Sequence, residues 1–258
     1  RLNGGEERRV VLPPGELDPE FIADPFLIRR DGTNWLFFEG MYANRGHRGR
    51  DKGVIGCLKQ DADGWEYVGV VLEEPWHLSY PQVFELDGRL VMIPESGQSG
   101  AVSLYECEQF PLKWRKRTDL VRANCNLVDA SVVREGDFCF LVVAPAETSL
   151  PPQLWMAGTI DGPWTIHPQS DHVSSSLRLR RNGGAFVREG NRLYRIAQDC
   201  EGGYGRQLFR VPVLQLTPNR YEEGCPESLS ESIHWPQPLP HHTYNRLEWA
   251  NQCLEIID

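Results

Sequence analysis

The chain contains no run of about 18 apolar residues, so no part of it reads as a membrane-spanning helix. Cysteine is sparse and odd in number, seven in 258 residues, with no C-x-x-C spacing. That excludes a disulfide framework or zinc ribbon and leaves packed, reduced thiols as the expectation. Positive charge is in deficit: 27 Lys and Arg stand against 36 Asp and Glu, a formal net charge of −9. A nucleic-acid partner, which needs a basic face, is therefore not expected. No N-x-[ST] sequon occurs. Arg1 to Pro14 lacks the basic, apolar, small-residue order of a signal peptide. With the thiols, these absences predict a cytoplasmic protein. Walker, H-E-x-x-H and EF-hand patterns are missing, so no metal or cofactor is expected. Ser96-Gly97-Gln98-Ser99-Gly100-Ala101 lacks the second glycine of a nucleophile elbow. Glu201-Gly202-Gly203-Tyr204-Gly205 lies between strands rather than ahead of a helix, so it is no phosphate cradle.

Present instead is a repeat. Asp24 to Glu39, Tyr80 to Glu95, Asp129 to Val142 and Gly184 to Asp199 each read as strand, glycine turn, strand. The turn glycines 32, 88, 136 and 190 are spaced 56, 48 and 54 residues apart. Recurrence near 50 residues marks radial or solenoid arrays, and a repeating antiparallel unit makes a β-propeller the expected fold. Two further β-rich runs follow each hairpin, the last announced by Trp65, Trp114, Trp164 or Tyr221. A large aromatic at that place buries area between neighbouring blades. His242 to Leu247 and Gln252 to Ile257 supply two more strands, and Arg9-Val10-Val11-Leu12 is free to join them. The expectation is all-β: one five-bladed propeller domain over 1–258, with 1–19 closing the ring, and four blades as the alternative if the C-terminal piece packs outside. Pro226 to Pro240 reads as a surface connection.

In such a ring the starts of the first strands and the ends of the second converge on one mouth. That gathers Asp24, Tyr80, Asp129, Gly184 and His242 with Glu39, Glu95, Ser96, Gln198 and Asp199. Carboxylates crowded together repel, raise each other's pKa and cost stability unless a ligand uses them. Arg178, Arg181 and Arg195 follow closely in the fourth repeat and are suited to an anionic ligand group.

Phe21-Ile22-Ala23-Asp24-Pro25-Phe26 resembles the opening of the five-bladed propeller glycosidases, the arabinanase, xylosidase and invertase-like clans. A wider set runs through Lys52-Gly53-Val54-Ile55-Gly56, His77-Leu78-Ser79-Tyr80-Pro81, Met92-Ile93-Pro94-Glu95-Ser96, Gln198-Asp199, Tyr204-Gly205 and His242-Thr243-Tyr244-Asn245. It is similar to the propeller region preceding the transferase domain of plant glucosamine inositolphosphorylceramide transferases, and to bacterial homologues of surface-polysaccharide assembly. The resemblance covers about residues 20 to 258. It implies a carbohydrate-active propeller, a glycan or sugar-phosphate ligand and a fused catalytic domain. Asp24 matches the base position of the glycosidases. Tyr80 stands where those enzymes carry a second Asp, so the standard hydrolytic set is altered.

Two functions follow as expectations. The first is an enzyme transferring or hydrolysing a glycosidic bond of a furanose-like or phosphorylated sugar, with Asp24, Glu95 and Asp129 catalytic. Glu39, Lys52, His77, Tyr80, Ser96, Arg181, Arg195, Gln198, Asp199, Tyr204, His242 and Asn245 would hold the substrate. The second is a glycan-binding module serving a fused transferase.

Overall fold

A computed structural model describes residues 15, 17–43, 52–62, 64–147, 150–174, 177–201, 205–229, 243–249 and 252–257. Four antiparallel sheets succeed one another along the chain. Blade one is β1 (Leu17–Arg30), β2 (Thr33–Tyr42), β3 (Val54–Gln60) and β4 (Trp65–Leu72). Blade two is β5 (Ser79–Leu86), β6 (Arg89–Glu95), β7 (Ala101–Gln109) and β8 (Lys113–Arg122). Blade three is β9 (Leu127–Glu135), β10 (Phe138–Pro145), β11 (Gln153–Ala157) and the two-residue β12 (Thr165–Ile166). In blade four the first strand is split into β13 (Arg181–Asn182) and β14 (Val187–Glu189). It continues through β15 (Arg192–Asp199), β16 (Gln207–Thr217), β17 (Arg220–Glu223) and β18 (Glu227–Ser228).

The expected turns close each inner hairpin. Arg30 faces Thr33 and Leu86 faces Arg89, leaving Asp31-Gly32 and Asp87-Gly88 as two-residue loops. All four of those residues have positive φ, between 48° and 78°, which only a mirror-image turn uses and which matches the twist of the strands.

The count of blades differs from the sequence expectation. The described residues form four blades, and the remaining β19 (Tyr244–Trp249) and β20 (Gln252–Ile257) make a two-stranded sheet, not a complete fifth blade. Residues 230–242 and 1–14, which include Arg9-Val10-Val11-Leu12 and most of the Pro226–Pro240 stretch, lie outside the described residues. Two strands are too few to bury both faces of a sheet, so β19–β20 borrows its neighbours' cores. Leu254 packs with Leu17, Leu27 and Phe38 of blade one, and Tyr244 packs with Val187, Ile196 and Leu208 of blade four.

The core lies in the seams between sheets. Phe37 of β2 meets Trp114 of β8 edge-on at 5.8 Å, so the aromatic of blade two's outer strand is buried against blade one. Tyr221 plays the same part between blades four and three. Charged pairs repeat at the hairpin ends: Arg30 with Glu85, Arg134 with Asp87, Arg188 with Glu135, and Arg246 with Glu189. Each joins one sheet to the next. All seven cysteines are free thiols, and among the described residues no helix is longer than a three-residue turn.

Candidate active site

In blades one to three the first strand carries a one-residue bulge, and β1 has a second irregularity between Leu17 and Ile22. The register slips between Ala23 and Phe26, between Ser79 and Gln82, and opposite Val142 and Ala144. At the break stand Asp24, Tyr80 and Asp129, with φ of 52°, 46° and 51°. Gly184, with φ of 146°, holds the corresponding place in blade four. Left-handed backbone at a non-glycine residue costs on the order of 1–3 kcal/mol and persists where surrounding contacts over-determine it. Pro25 and Pro81, lacking an N–H, follow two of these residues and relieve the ladder of a bond it would otherwise lose. The bulge turns one residue per blade away from its own sheet and toward its neighbours.

Contacts among these residues cross the ring. The Tyr80 N–H donates to Asp24 Oδ2 at 3.0 Å, and the Thr243 hydroxyl donates to Asp24 Oδ1 at 2.6 Å. Both of these groups donate, and the carboxyl oxygens of Asp24 accept. The Tyr80 phenol reaches blades three and four. It accepts from the Gly184 N–H at 2.6 Å and lies 2.9 Å from Ser131 Oγ, which in turn donates to the Gly184 carbonyl at 2.9 Å. Tyr80 is fully buried. Burial and then the Asp129 charge push its phenol well above the ordinary range, so it stays a neutral donor. Gly184 has no substitute, since a Cβ there would stand 1.9 Å from the Tyr244 carbonyl oxygen.

A second carboxyl pair spans blades two and three. The Asp129 N–H donates to Glu95 Oε2 at 3.1 Å, and Arg181 Nε pairs with Asp129 Oδ2. Asn182 Nδ2 donates to the Asp129 carbonyl at 2.7 Å, fixing that segment from below. Burial pushes the Glu95 carboxyl well above the carboxylate range. The charge of Asp129 adds to this, Arg181 opposes it, and Asp24 adds a smaller part. One carboxyl of the group is thus built to keep its proton while Asp24 is furnished with donors.

Glu39 faces Ala23 across the first hairpin and is buried. His77 Nε2 lies 3.1 Å from Glu39 Oε1, and the Gly53 N–H donates to His77 Nδ1 at 2.8 Å. The Glu39 hydrogen bond draws the His77 pKa up and burial draws it down. Because Nδ1 already accepts from a backbone amide, the Nε2–H tautomer is the one held. Gly53 must be glycine, as a Cβ would stand 2.3 Å from the Leu78 carbonyl oxygen.

Other expected residues fall elsewhere. Arg195 is 1 % exposed and forks onto Glu223 at 2.7 Å, with Leu179 and Asn182 taking its remaining donors. It is an interior ion pair and does not join the mouth. The Ser96 hydroxyl donates to the Ala101 carbonyl at 2.9 Å and shapes the turn after β6. Lys52 pairs with Glu73 at 3.3 Å and with the Glu74 carbonyl. Gln198 is buried and donates to the Asn182 carbonyl at 2.6 Å. Burial would raise the Asp199 carboxyl, but its pairing with Arg178 holds it below its ordinary value. Asn245 is a clasp, donating to the Pro25 carbonyl at 2.7 Å and accepting from the Ala185 N–H at 3.0 Å. Tyr204 and His242 lie outside the described residues. Sequence reasoning missed Ser131 and Asn182. Their signal is a polar residue at a buried position of an apolar strand. Among the described residues no three His, Cys, Asp or Glu side chains are grouped to hold a metal.

Residues 14–234 match the family described as glucosamine inositolphosphorylceramide transferase 1, N-terminal. The chain belongs to that family. Glucosamine inositolphosphorylceramide transferase 1 of Oryza sativa subsp. japonica is 35 % identical over 263 residues, covering 94 % of this chain and 34 % of that protein. The Arabidopsis thaliana protein of the same name is 32 % identical over 256 residues, covering 94 % of the chain and 32 % of its own length. The chain thus spans about a third of the curated relatives it matches. Among solved structures, an α-L-arabinanase of Cellvibrio cellulosa aligns with a TM-score of 0.59 at 14 % identity, over 84 % of this chain and 82 % of that one. A xylan β-1,4-xylosidase from Bacillus halodurans aligns with a TM-score of 0.57 at 19 % identity, over 78 % and 43 %. At such identity these two establish the propeller fold alone.

Proposed function

We propose that this propeller acts on a glycosidic bond at the mouth built by Asp24, Glu95 and Asp129, in the assembly of a glycan or glycolipid headgroup. The observation that carries this is that burial beside Asp129 raises the Glu95 carboxyl while Asp24, across the mouth, accepts from the Tyr80 N–H and the Thr243 hydroxyl. Two groups with environments that push their proton affinities apart are what acid–base glycosyl chemistry requires. Glu95, which keeps its proton, gives it to the leaving oxygen as the bond to the anomeric carbon breaks. Asp24 faces the positive charge that develops there and takes the proton of the incoming hydroxyl, from an acceptor sugar or water, as the new bond forms. The Asp129 charge beside Glu95 makes the proton harder to surrender in the ground state, and Arg181 balances Asp129. His77 and Arg181, both partly exposed, bind hydroxyl or phosphoryl groups of the substrate.

The relatives' name joins a hexosamine to an inositol phosphate, and a ligand of that kind suits Arg181 and His77 together. In the same reading, β19–β20 takes the place of a fifth blade, since it sits between blades four and one and donates Thr243 and Asn245 to blade one. Because the chain spans a third of its relatives, a second reading has this propeller hold the glycan for a catalytic domain outside the matched region. Aryl glycosides separate the two. With Glu95→Gln, substrates with poor leaving groups should lose turnover by about 10²–10⁴-fold while activated aryl glycosides lose little, because the acid is bypassed. Equal loss on both removes Glu95 from the acid role. Binding without turnover by the unaltered protein supports the holding reading.

A further inference from the structure

Each seam between neighbouring described sheets carries an apolar cluster, including the one between blade four and β19–β20. In the seam between blade four and β19–β20 the cluster lies beside an open space. A two-stranded sheet brings fewer side chains than a blade, and the shortfall leaves a cavity of about 170 Å³. Val187, Ile196 and Leu229 form its apolar wall, and the rings of Tyr194 and Tyr244 border it. Its polar lining is two arginines and two glutamates, Arg210, Arg246, Glu189 and Glu255.

Those charges are already matched. Arg246 contacts Glu189 at 2.9 Å, Glu255 at 3.5 Å and also Glu248. Arg210 contacts Glu227 at 2.6 Å and Glu189 at 3.3 Å, and its guanidinium lies 5.2 Å from the centre of the Tyr194 ring. An anionic ligand would meet no unmatched cation, and a cationic ligand no unmatched carboxylate. Yet Arg246 Nε is buried with no hydrogen-bond partner. A buried orphan donor beside a roomy, partly polar cavity calls for an acceptor inside it. Aliphatic wall, aromatic rings, planar charged groups spent on one another and one waiting donor together suit a neutral, polyhydroxylated ligand.

We propose that this seam is a second ligand site, separate from the central mouth, that takes a single neutral sugar unit with Arg246 Nε–H donating to one of its oxygens. The site does not depend on the reading of Asp24, Glu95 and Asp129. The test is methyl NMR on the unaltered protein titrated with glucose, N-acetylglucosamine, glucuronate and glucosamine. Neutral sugars should shift the Val187, Ile196 and Leu229 methyl resonances with a millimolar Kd, and the two charged sugars should bind at least several-fold more weakly. Leu229→Trp, which fills the cavity, should weaken binding at least tenfold, whereas Asp24→Asn should leave the Kd unchanged. Should the tryptophan variant not fold, Arg246→Lys keeps the charge, removes the Nε donor and should give the same loss. Unmoved seam methyls, equal response to charged sugars, or binding that survives in a folded Leu229→Trp or Arg246→Lys would each overturn the proposal. So would a response confined to the central mouth.

Discussion

Replacing Glu95 by Gln tests whether this carboxyl holds a proton in the folded protein. The side chain sits where its neighbours are the Asp129 N–H at 3.1 Å, the Asp129 carboxylate and, further off, Asp24. In the unfolded chain Glu95 titrates near its ordinary value of about 4.3, whereas burial and the two acids raise it in the folded state. The folded protein therefore binds more protons than the unfolded chain from the unfolded pKa up to the folded one. Stability contributed by this group is complete below the unfolded pKa and is lost as pH rises toward the folded pKa. For one proton the steepest slope is about 1.4 kcal/mol per pH unit. In a chain of this size that is roughly 3–5 °C of Tm per unit. Glu95→Gln removes the titration while keeping the shape and the acceptor for the Asp129 N–H. Thermal or guanidinium unfolding from pH 4.5 to 8 should show the variant gaining on the unaltered protein as pH rises, and the two nearly equal at the acid end. Parallel curves across that range would show that Glu95 has an ordinary pKa, and the acid role would fall with it.

Arg195→Met leaves Glu223 buried beside Tyr221 and Ser174 without its cation, and should cost about 3–5 kcal/mol, recovered in large part by Arg195→Met with Glu223→Leu. If the double variant is as unstable as the single one, the pair is not the cause. Gly184→Ala should abolish soluble folded protein or lower its Tm by more than 5 °C, because the new Cβ would overlap the Tyr244 carbonyl; a Tm within 1 °C of the original would contradict the packing. Tyr80→Phe keeps the ring but leaves the Gly184 N–H unsatisfied, so it should cost about 1–3 kcal/mol by chemical denaturation. An unchanged midpoint would mean that the hydroxyl does not bridge the blades.

How far the residues alone disclosed this structure depends on whether a signal is local. The hairpin turns were readable because Asp-Gly at 31–32 and 87–88 demands one turn type, and Glu39 and Glu95 each stand seven residues beyond their turn glycine. Asp24 stands eight residues before Gly32 and Asp129 seven before Gly136, a similar spacing that let Asp24, Glu95 and Asp129 be grouped from the sequence as candidates. Arg195 was not, because its partner Glu223 lies 28 residues on in β17 and nothing local distinguishes an inward arginine from one facing a pocket. The two strands β19 and β20 were legible, but the fifth blade also needed Arg9-Val10-Val11-Leu12, which lies outside the described residues. Tyr80 reads as a ligand contact, and its left-handed backbone instead buries it as the tie between blades. The raised Glu95 carboxyl rests on burial and on Asp129, 34 positions away in the chain, and Asp24 takes its hydroxyl donor from Thr243, 219 positions away.

The central claim is that Asp24 does chemistry. Asp24→Asn retains the size of the side chain and removes the charge that accepts from Thr243 and the Tyr80 N–H. The direct measurement is release or transfer of labelled sugar by both proteins, at equal folded concentration, over furanosides, hexosamine–inositol phosphates and activated sugar phosphates. The account predicts turnover by the unaltered protein on at least one donor and its loss in Asp24→Asn, with glycan binding retained. Equal rates in both proteins, or no turnover on any donor despite measurable binding, would contradict it.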